Sequence, residues 1–145
     1  IHGGERVLDL GCGSGILSIA ALVLGASRAF ACDIDEKCVD VAYENAALNG
    51  VGRDRYTVRW GDVLTDRQLQ GEFGGEYDIV VANIVADVIM GLSGRVRPFL
   101  KDGGLFLCSG IIDDRAEEVA DKLRADGWTI LKTRQSEGWF SYLCK

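Results

Sequence analysis

Arg6-Val-Leu-Asp-Leu-Gly-Cys-Gly-Ser-Gly-Ile16, running on as Leu-Ser-Ile-Ala-Ala-Leu-Val-Leu24, decides the fold. Arg6–Leu10 is a short apolar run that reads as a strand, and Asp9–Gly15 is a glycine-rich loop. Ile16–Leu24 is apolar nearly all round and stops at Gly25. Its length and its place after the loop predict a buried helix rather than a second strand. A strand feeding a glycine loop that opens a helix is the first half of a βαβ unit.

The rest of the chain repeats that alternation. Arg28–Cys32 reads as a strand ending at Asp33, followed by a helix with Asp35 as N-cap. Val39, Tyr43 and Ala46 share one face of this helix, and Asn49-Gly50 ends it. Tyr56–Trp60 alternates as a strand does, and residues 66–76, polar and glycine-rich, read as loop. Tyr77–Ala82 is a central strand, Ala86–Val96 a helix closed by Pro98, and Leu105–Ser109 another strand. Asp114 and Glu117 form a capping-box-like start to a helix that buries Ala116, Val119, Ala120 and Leu123 and closes at Gly127. Trp128–Thr133 and Trp139–Cys144 leave no room for a helix between them, so they pair as a hairpin. The expected fold is α/β: a doubly wound, mostly parallel seven-stranded sheet with helices on both faces and a C-terminal antiparallel hairpin, the helix after the third strand missing or shrunk. Such sheets bind ligands beyond the carboxyl ends of their strands, at the switch point beside the first strand.

With 145 residues, the chain fits one domain, and 48% apolar against 26% charged residues describes a folded chain. No apolar run approaches the roughly 18 residues of a membrane span. Cys12, Cys32, Cys38, Cys108 and Cys144 form no C-x-x-C pair and sit mostly in apolar runs. They read as reduced thiols of a cytoplasmic protein rather than as a zinc site or a disulfide framework. A net charge of −6 opposes direct binding to a phosphate backbone and suits a basic protein partner better. The chain is expected to be monomeric. It begins at Ile1, and we expect a domain cut from a longer protein.

The chemistry gathers at successive strand ends. In Asp9-Leu-Gly11-Cys12-Gly13-Ser-Gly15, Gly11 and Gly13 let the backbone turn tightly and admit a ligand against it. A dinucleotide fingerprint requires glycine at position 16, where this chain has Ile16, so a diphosphate is disfavoured and an adenosine without phosphates fits better. Asp33, about 20 residues on, is placed to accept from both ribose hydroxyls. Asp62, after Trp60-Gly61, is placed to accept from the exocyclic amine of adenine while the Val63 amide donates to the ring. Taken singly, each carboxylate reads as a helix cap or a solvated loop residue; together with the glycine loop they outline a nucleoside pocket. Asn83, in Ala82-Asn-Ile-Val-Ala-Asp87, is either the N-cap of the next helix or an amide that orients an amine nucleophile. Trp139 reads first as a core aromatic and second as a wall of a substrate entrance.

Val7–Ala21, Cys32–Val51, Val81–Asp87 (VANIVAD) and Leu107–Ile111 (LCSGI) together resemble the class I S-adenosylmethionine-dependent methyltransferases. Within them the Asn-Ile-x-Ala run, Ser-Gly-Ile and Glu137-Gly138-Trp139 are similar to the PrmA-type enzymes, which methylate protein eleven of the bacterial large ribosomal subunit. The resemblance implies methylation of lysine side chains and an α-amine of that ribosomal protein, with S-adenosyl-L-methionine as donor and S-adenosyl-L-homocysteine as product. It implies a cofactor site at Gly11, Asp33 and Asn83; with the neighbouring positions the expected set is Asp9, Gly11, Cys12, Gly13, Gly15, Asp33, Ile34, Asp62, Val63 and Asn83, with Asn83 also catalytic and no metal. The family also carries an N-terminal substrate-recognition domain and a Gly-Thr-Gly-x-His segment, which residues 1–145 do not contain. Two other classes stay open. One is a methyltransferase of RNA or a small molecule, which the lack of an Asn-Pro-Pro-aromatic run at Asn83 disfavours. The other is a nucleotide-binding domain without transfer activity, which the glycine spacing and terminal hairpin disfavour.

Overall fold

The computed structural model describes all of residues 1–145. Seven strands form one sheet: β1 (Arg6–Leu10), β2 (Arg28–Asp33), β3 (Tyr56–Trp60), β4 (Tyr77–Asn83), β5 (Leu100–Ile112), β6 (Ile130–Ser136) and β7 (Trp139–Cys144). Their order across the sheet is β3-β2-β1-β4-β5-β7-β6. The first five are parallel, and β7 inserts antiparallel between β5 and β6. The chain therefore reverses its direction of travel across the sheet at β1, which puts the switch point between β1 and β4, as the alternation of strand and helix predicts.

Five helices cover the two faces: α1 (Ile16–Val23), α2 (Lys37–Leu48), α3 (Arg67–Phe73), α4 (Ala86–Ser93) and α5 (Asp113–Ala125). Side chains of β1 alternate between two cores. Leu8 and Leu10 face the cluster under α3, α4 and α5, and Val7 faces the cluster under α1 and α2. No helix is long and apolar enough to cross a membrane.

Several boundaries differ from the sequence expectation. Residues 66–76 are not all loop: Asp66 caps α3 by accepting from Leu69 N at 2.9 Å, and Leu69 and Phe73, one turn apart, bury its single apolar stripe. Ala86–Val96 is not one helix. α4 stops at Ser93 with Gly94 as C-cap, and Pro98 sits inside a separate 3-10 turn, Arg97–Phe99. α5 starts two residues earlier than expected from Asp114 as its cap, with Ile112 as N-cap and Asp113 and Asp114 both in the first turn, where they complement the helix dipole without capping. α2 begins two residues after Asp35, whose side chain accepts from Lys37 N at 3.0 Å. α1 is buried on one side only: Ser18, Ile19, Ala21 and Leu22 face the sheet, while Ile16, Val23 and Leu24 are exposed.

The terminal hairpin turns on Glu137 and Gly138, both with positive φ (51° and 82°), as a two-residue turn matched to strand twist requires. Tyr142 donates to Ala116 O at 2.7 Å and ties β7 to α5. Trp128 lies just before β6, buried, and donates to Ser93 O at 2.8 Å. All five cysteines are free, and all but Cys38 are buried.

Candidate functional site

At the carboxyl end of β1 the chain turns through three glycines with positive φ, Gly11, Gly13 and Gly15. Gly11 N and Cys12 N both donate to Cys32 O at 2.9 Å, which pins the loop to β2. From α2, Asn45 donates to Ser14 O at 2.9 Å, and the small residues Ala42 and Ala46 let that helix lie close. Asn45 and Ala46, within the Cys32–Val51 run that carries the resemblance, thus hold α2 to the loop. Gly15 has no room for a side chain: a Cβ there would lie 2.8 Å from the Tyr56 hydroxyl. A Cβ at Gly11 would collide with Ile84, because the loop touches the end of β4. Gly13 differs, since a Cβ there would meet nothing within 4 Å. The crest of the loop is thus open on the crevice side, as a cradle for a nucleoside must be.

Asp9 stands at the start of this loop, almost fully buried. It is 1% exposed, and its carboxylate accepts from Ser18 N (3.2 Å) and Ser18 Oγ (2.7 Å) in the first turn of α1. Through these bonds Asp9 braces the start of the loop against α1. Burial, offset in part by these bonds and reinforced by nearby Asp33, raises its pKa to about 6. The helix terminus where a dinucleotide's diphosphate would lie already has its anion, which is the structural counterpart of the missing glycine at position 16. Cys12 is also buried, and burial pushes its thiol and that of Cys32 up, so both stay protonated. Of Cys12, only the backbone belongs to the loop's outer surface.

Asp33 crosses the crevice to the loop. Its Oδ2 accepts from Gly13 N at 2.8 Å and its Oδ1 from Asp35 N at 2.9 Å, leaving one lone pair on each oxygen for hydroxyl donors. Ile34 follows, 70% exposed. Trp60, paired in register with Asp33, donates its indole N–H to Ile34 O at 3.0 Å. Sequence reasoning missed Trp60 as part of this edge; an aromatic ending a strand just before Gly-Asp was its signal. Asp62 Oδ1 accepts from Leu64 N at 2.9 Å, so one of its oxygens shapes the turn and the other is free. Val63 packs at the margin of the core beside it. A cavity of about 730 Å³, lined by Val63, Gln70, Arg95 and Phe99 among others, lies between α3 and the Arg97–Phe99 turn and includes no residue of the glycine loop.

Asn83 closes the row at the end of β4. It is exposed, and it does not cap α4, whose N-cap is Val85. Ile84 N instead donates to Ser109 O, 3.2 Å away, holding the β4 end against β5. A cleft of about 450 Å³ lies here, lined by Asn83, Ile84, Val85, Ser109, Gly110 and Trp139. Trp139 is 54% exposed, so it is no core aromatic. Because β3, β2, β1 and β4 are consecutive in the sheet, Asp62, Asp33, the glycine loop and Asn83 stand in that order along one edge.

The family model described as ribosomal protein L11 methyltransferase (PrmA) matches residues 1–145. The chain belongs to that family. The PrmA-family relatives include the ribosomal protein L11 methyltransferase of Desulforamulus reducens, 46% identical over 99% of this chain and 44% of its own length. That of Caldanaerobacter subterraneus subsp. tengcongensis is 44% identical over 98% of this chain and 43% of its own. The chain thus spans less than half the length of these curated PrmA relatives. Among solved structures, the ribosomal protein L11 methylase of Lactobacillus delbrueckii subsp. bulgaricus superposes with a TM-score of 0.87 at 30% identity, covering 98% of this chain and 69% of that one. An RNA methyltransferase from Salinibacter ruber, in complex with S-adenosyl-L-homocysteine, shares the fold at a TM-score of 0.72 and 22% identity, covering 96% and 78%.

Proposed function

We propose that residues 1–145 form the methyl-transferring domain of a ribosomal protein L11 methyltransferase. In this reading the domain binds S-adenosylmethionine along the β3-β2-β1-β4 edge and directs its methyl group to amine nitrogens, lysine side chains and an α-amine, of that large-subunit protein. Capture of the protein substrate falls to a separate N-terminal recognition domain, and the enzyme works in the cytoplasm as a monomer. The observation that carries the reading is the alignment of Asp62, Asp33, the glycine loop and Asn83 on one sheet edge. The names of the family's relatives direct it to L11.

Within the reading, Asp33 holds the ribose hydroxyls, Asp62 and the Val63 amide hold the adenine, and the open crest at Gly13 lies against the nucleoside. When bound, S-adenosylmethionine supplies a methyl carbon on a sulfonium: the nitrogen–carbon bond forms as the sulfur–carbon bond breaks, and sulfur leaves as a neutral thioether. The protein's task is positioning. An attacking lysine must first lose a proton from a group whose pKa is about 10.4 in solution. Asp87 is not the base, because Arg115 already donates to it at 2.7 Å. The cleft is open to solvent, so the proton passes to water, and the Asn83 amide oxygen accepts the remaining N–H and aims the lone pair.

The test is calorimetric titration with S-adenosylmethionine, S-adenosylhomocysteine and NADH. Binding of both sulfur nucleosides, lost in Asp33→Ala, is the expected result. Preference for NADH would overturn the reading.

A further inference from the structure

The cavity of about 730 Å³ between α3 and the Arg97–Phe99 turn shares only Val63 with the strand-end groups described above. Its origin is the shortness of the elements around it. α3 has seven residues, and α4 stops at Ser93, where Gly94 and the 3-10 turn lead the chain away. The space between them is left unfilled. Part of its lining is apolar: Leu92 is buried, and Leu64 and Phe99 are half-buried. Phe99 stands edge-on to Phe73 with ring centroids 5.5 Å apart, so this wall is fixed by the core behind it.

The polar part of the lining is rich in donors. Arg67 and Arg95 belong to it and no Asp or Glu does, in a chain whose net charge is −6. None of the chain's six ion pairs uses either arginine. Arg95 donates from Nη1 to Leu64 O at 2.7 Å, which fixes its plane without neutralising it and leaves Nε and Nη2 free. Gln70 donates to Val63 O at 2.6 Å. The acids nearby are engaged elsewhere. Asp66 caps α3 at Leu69 N, and Asp126, beside Gly94, is held by Lys122 at 3.0 Å. The cavity thus joins an apolar wall to two guanidinium groups that no carboxylate of the chain answers.

We propose that this cavity is a second ligand site, for a small organic anion whose carboxylate pairs with Arg67 and Arg95 and whose apolar body lies against Leu64, Leu92 and Phe99. A volume of this size suits a small-molecule ligand, and a guanidinium fork matches a carboxylate. An inorganic anion would leave the apolar wall unused, and a neutral apolar ligand would leave both arginines unanswered. A nucleic-acid backbone is disfavoured, because two arginines on an acidic domain neutralise too few phosphates. The occupant is neither methyl donor nor acceptor, since no residue of the glycine loop, nor Asp33 or Asn83, lines the cavity. Gln70 and Arg95 nonetheless hold the Val63 and Leu64 carbonyls, so the occupant touches the supports of the turn that follows Asp62.

The test is NMR titration of the chain with indole-3-propionate and with indole-3-propionamide, which keeps the same apolar body without the charge. The Gln70 side-chain amide, the Arg95 Nε–H and the Gly94 amide are the reporters. All three should shift with the carboxylate, and the neutral amide should bind about tenfold more weakly. Arg67→Gln should weaken the carboxylate about threefold and Arg95→Gln about tenfold, with the neutral amide unchanged in both. Equal binding of the two probes, carboxylate affinity unchanged in both variants, or shifts confined to the exposed apolar residues Val23 and Leu24 of the α1 region would overturn the proposal. So would silence of the three reporters up to several millimolar carboxylate. Arg67 is exposed and takes part in no ion pair, so Arg67→Gln and the comparison of the two probes decide even where Arg95→Gln disturbs the turn at Leu64.

Discussion

Asp9 and Ser18 lock the end of β1 to the first turn of α1: one carboxylate oxygen accepts both the Ser18 amide (3.2 Å) and its hydroxyl (2.7 Å). With the Ser18 hydrogen committed to Asp9, the Tyr56 hydroxyl donates to Ser18 Oγ at 2.7 Å, extending the brace to β3. The loop between Asp9 and Ser18 is therefore shaped from behind, and its outer surface is left for a ligand.

The first prediction concerns pH. The unfolded Asp9 carboxyl loses its proton near its ordinary value of 3.8, the folded one only near 6. Between these values the native state binds more protons than the unfolded state. Asp9's contribution to stability is thus fully present below 3.8, declines as pH rises, and is level above about 6. The loss from this group alone is on the order of 2–3 kcal/mol. Asp9→Asn abolishes it, so urea denaturation at pH 4.5 and pH 7 should show the variant gaining on the wild type as pH rises. Parallel profiles would mean that the carboxylate is not under this burial penalty.

Gly13 and Gly15 should separate binding from folding. Gly15→Ala forces a methyl to within 2.8 Å of the Tyr56 hydroxyl and 3.1 Å of Ile19 Cδ1, at a left-handed φ of 84°. It should cost on the order of 2–4 kcal/mol, read as a lowered urea midpoint. Gly13→Ala meets no neighbour and carries only the left-handed penalty of about 1 kcal/mol. It should leave the fold cooperative and abolish S-adenosylhomocysteine binding, because its methyl points into the crevice. Wild-type affinity in Gly13→Ala would show that the nucleoside lies elsewhere.

Asn83→Ala should lower turnover about 100-fold while stability stays within about 0.5 kcal/mol. The side chain is exposed and caps nothing, so folding does not use it. Turnover of L11 methylation and thermal melting measured on the same samples check both halves. A stability loss matching the activity loss would return Asn83 to a structural role.

The alternation of strands and helices was legible because each element carries its own period, and the glycine loop because its strand and helix flank it directly. α3 was not legible: only Leu69 and Phe73 face the core, while Gln68, Gln70 and Gly71 give it the composition of a loop. The bracing of α1 by Asp9 was not legible, because a carboxylate at a strand end looks the same whether or not it reaches Ser18. Trp128 and Trp139 each lead a β-like run near the end of the chain, yet one is buried at 3% and the other 54% exposed. That difference is set by the insertion of β7 between β5 and β6, a long-range pairing that no local period records. Of the two readings of Asn83, the α4 cap at Val85 removes the helix cap and leaves the amine-orienting amide as the reading that the Asn83→Ala experiment decides.

The last prediction follows from the turn that holds Trp139. A two-residue hairpin turn with positive φ at both positions favours Asn-Gly, and here the first position is Glu137 at φ 51°. Asparagine visits this region at lower cost because its short amide bonds to the local backbone, so Glu137→Asn should stabilise the domain by about 0.5–1 kcal/mol. For a chain of this length that is a rise of about 2–4 °C in Tm. Glu137→Val, β-branched in the left-handed region, should move Tm the other way by at least as much. The same pair tests the hairpin's bearing on the cleft: if the turn holds Trp139, its indole N–H resonance should sharpen in Glu137→Asn and broaden in Glu137→Val, with Trp128 unchanged. Stability shifts that leave the Trp139 signal untouched would show that the indole is fixed by its strand pairing with Ile112 alone.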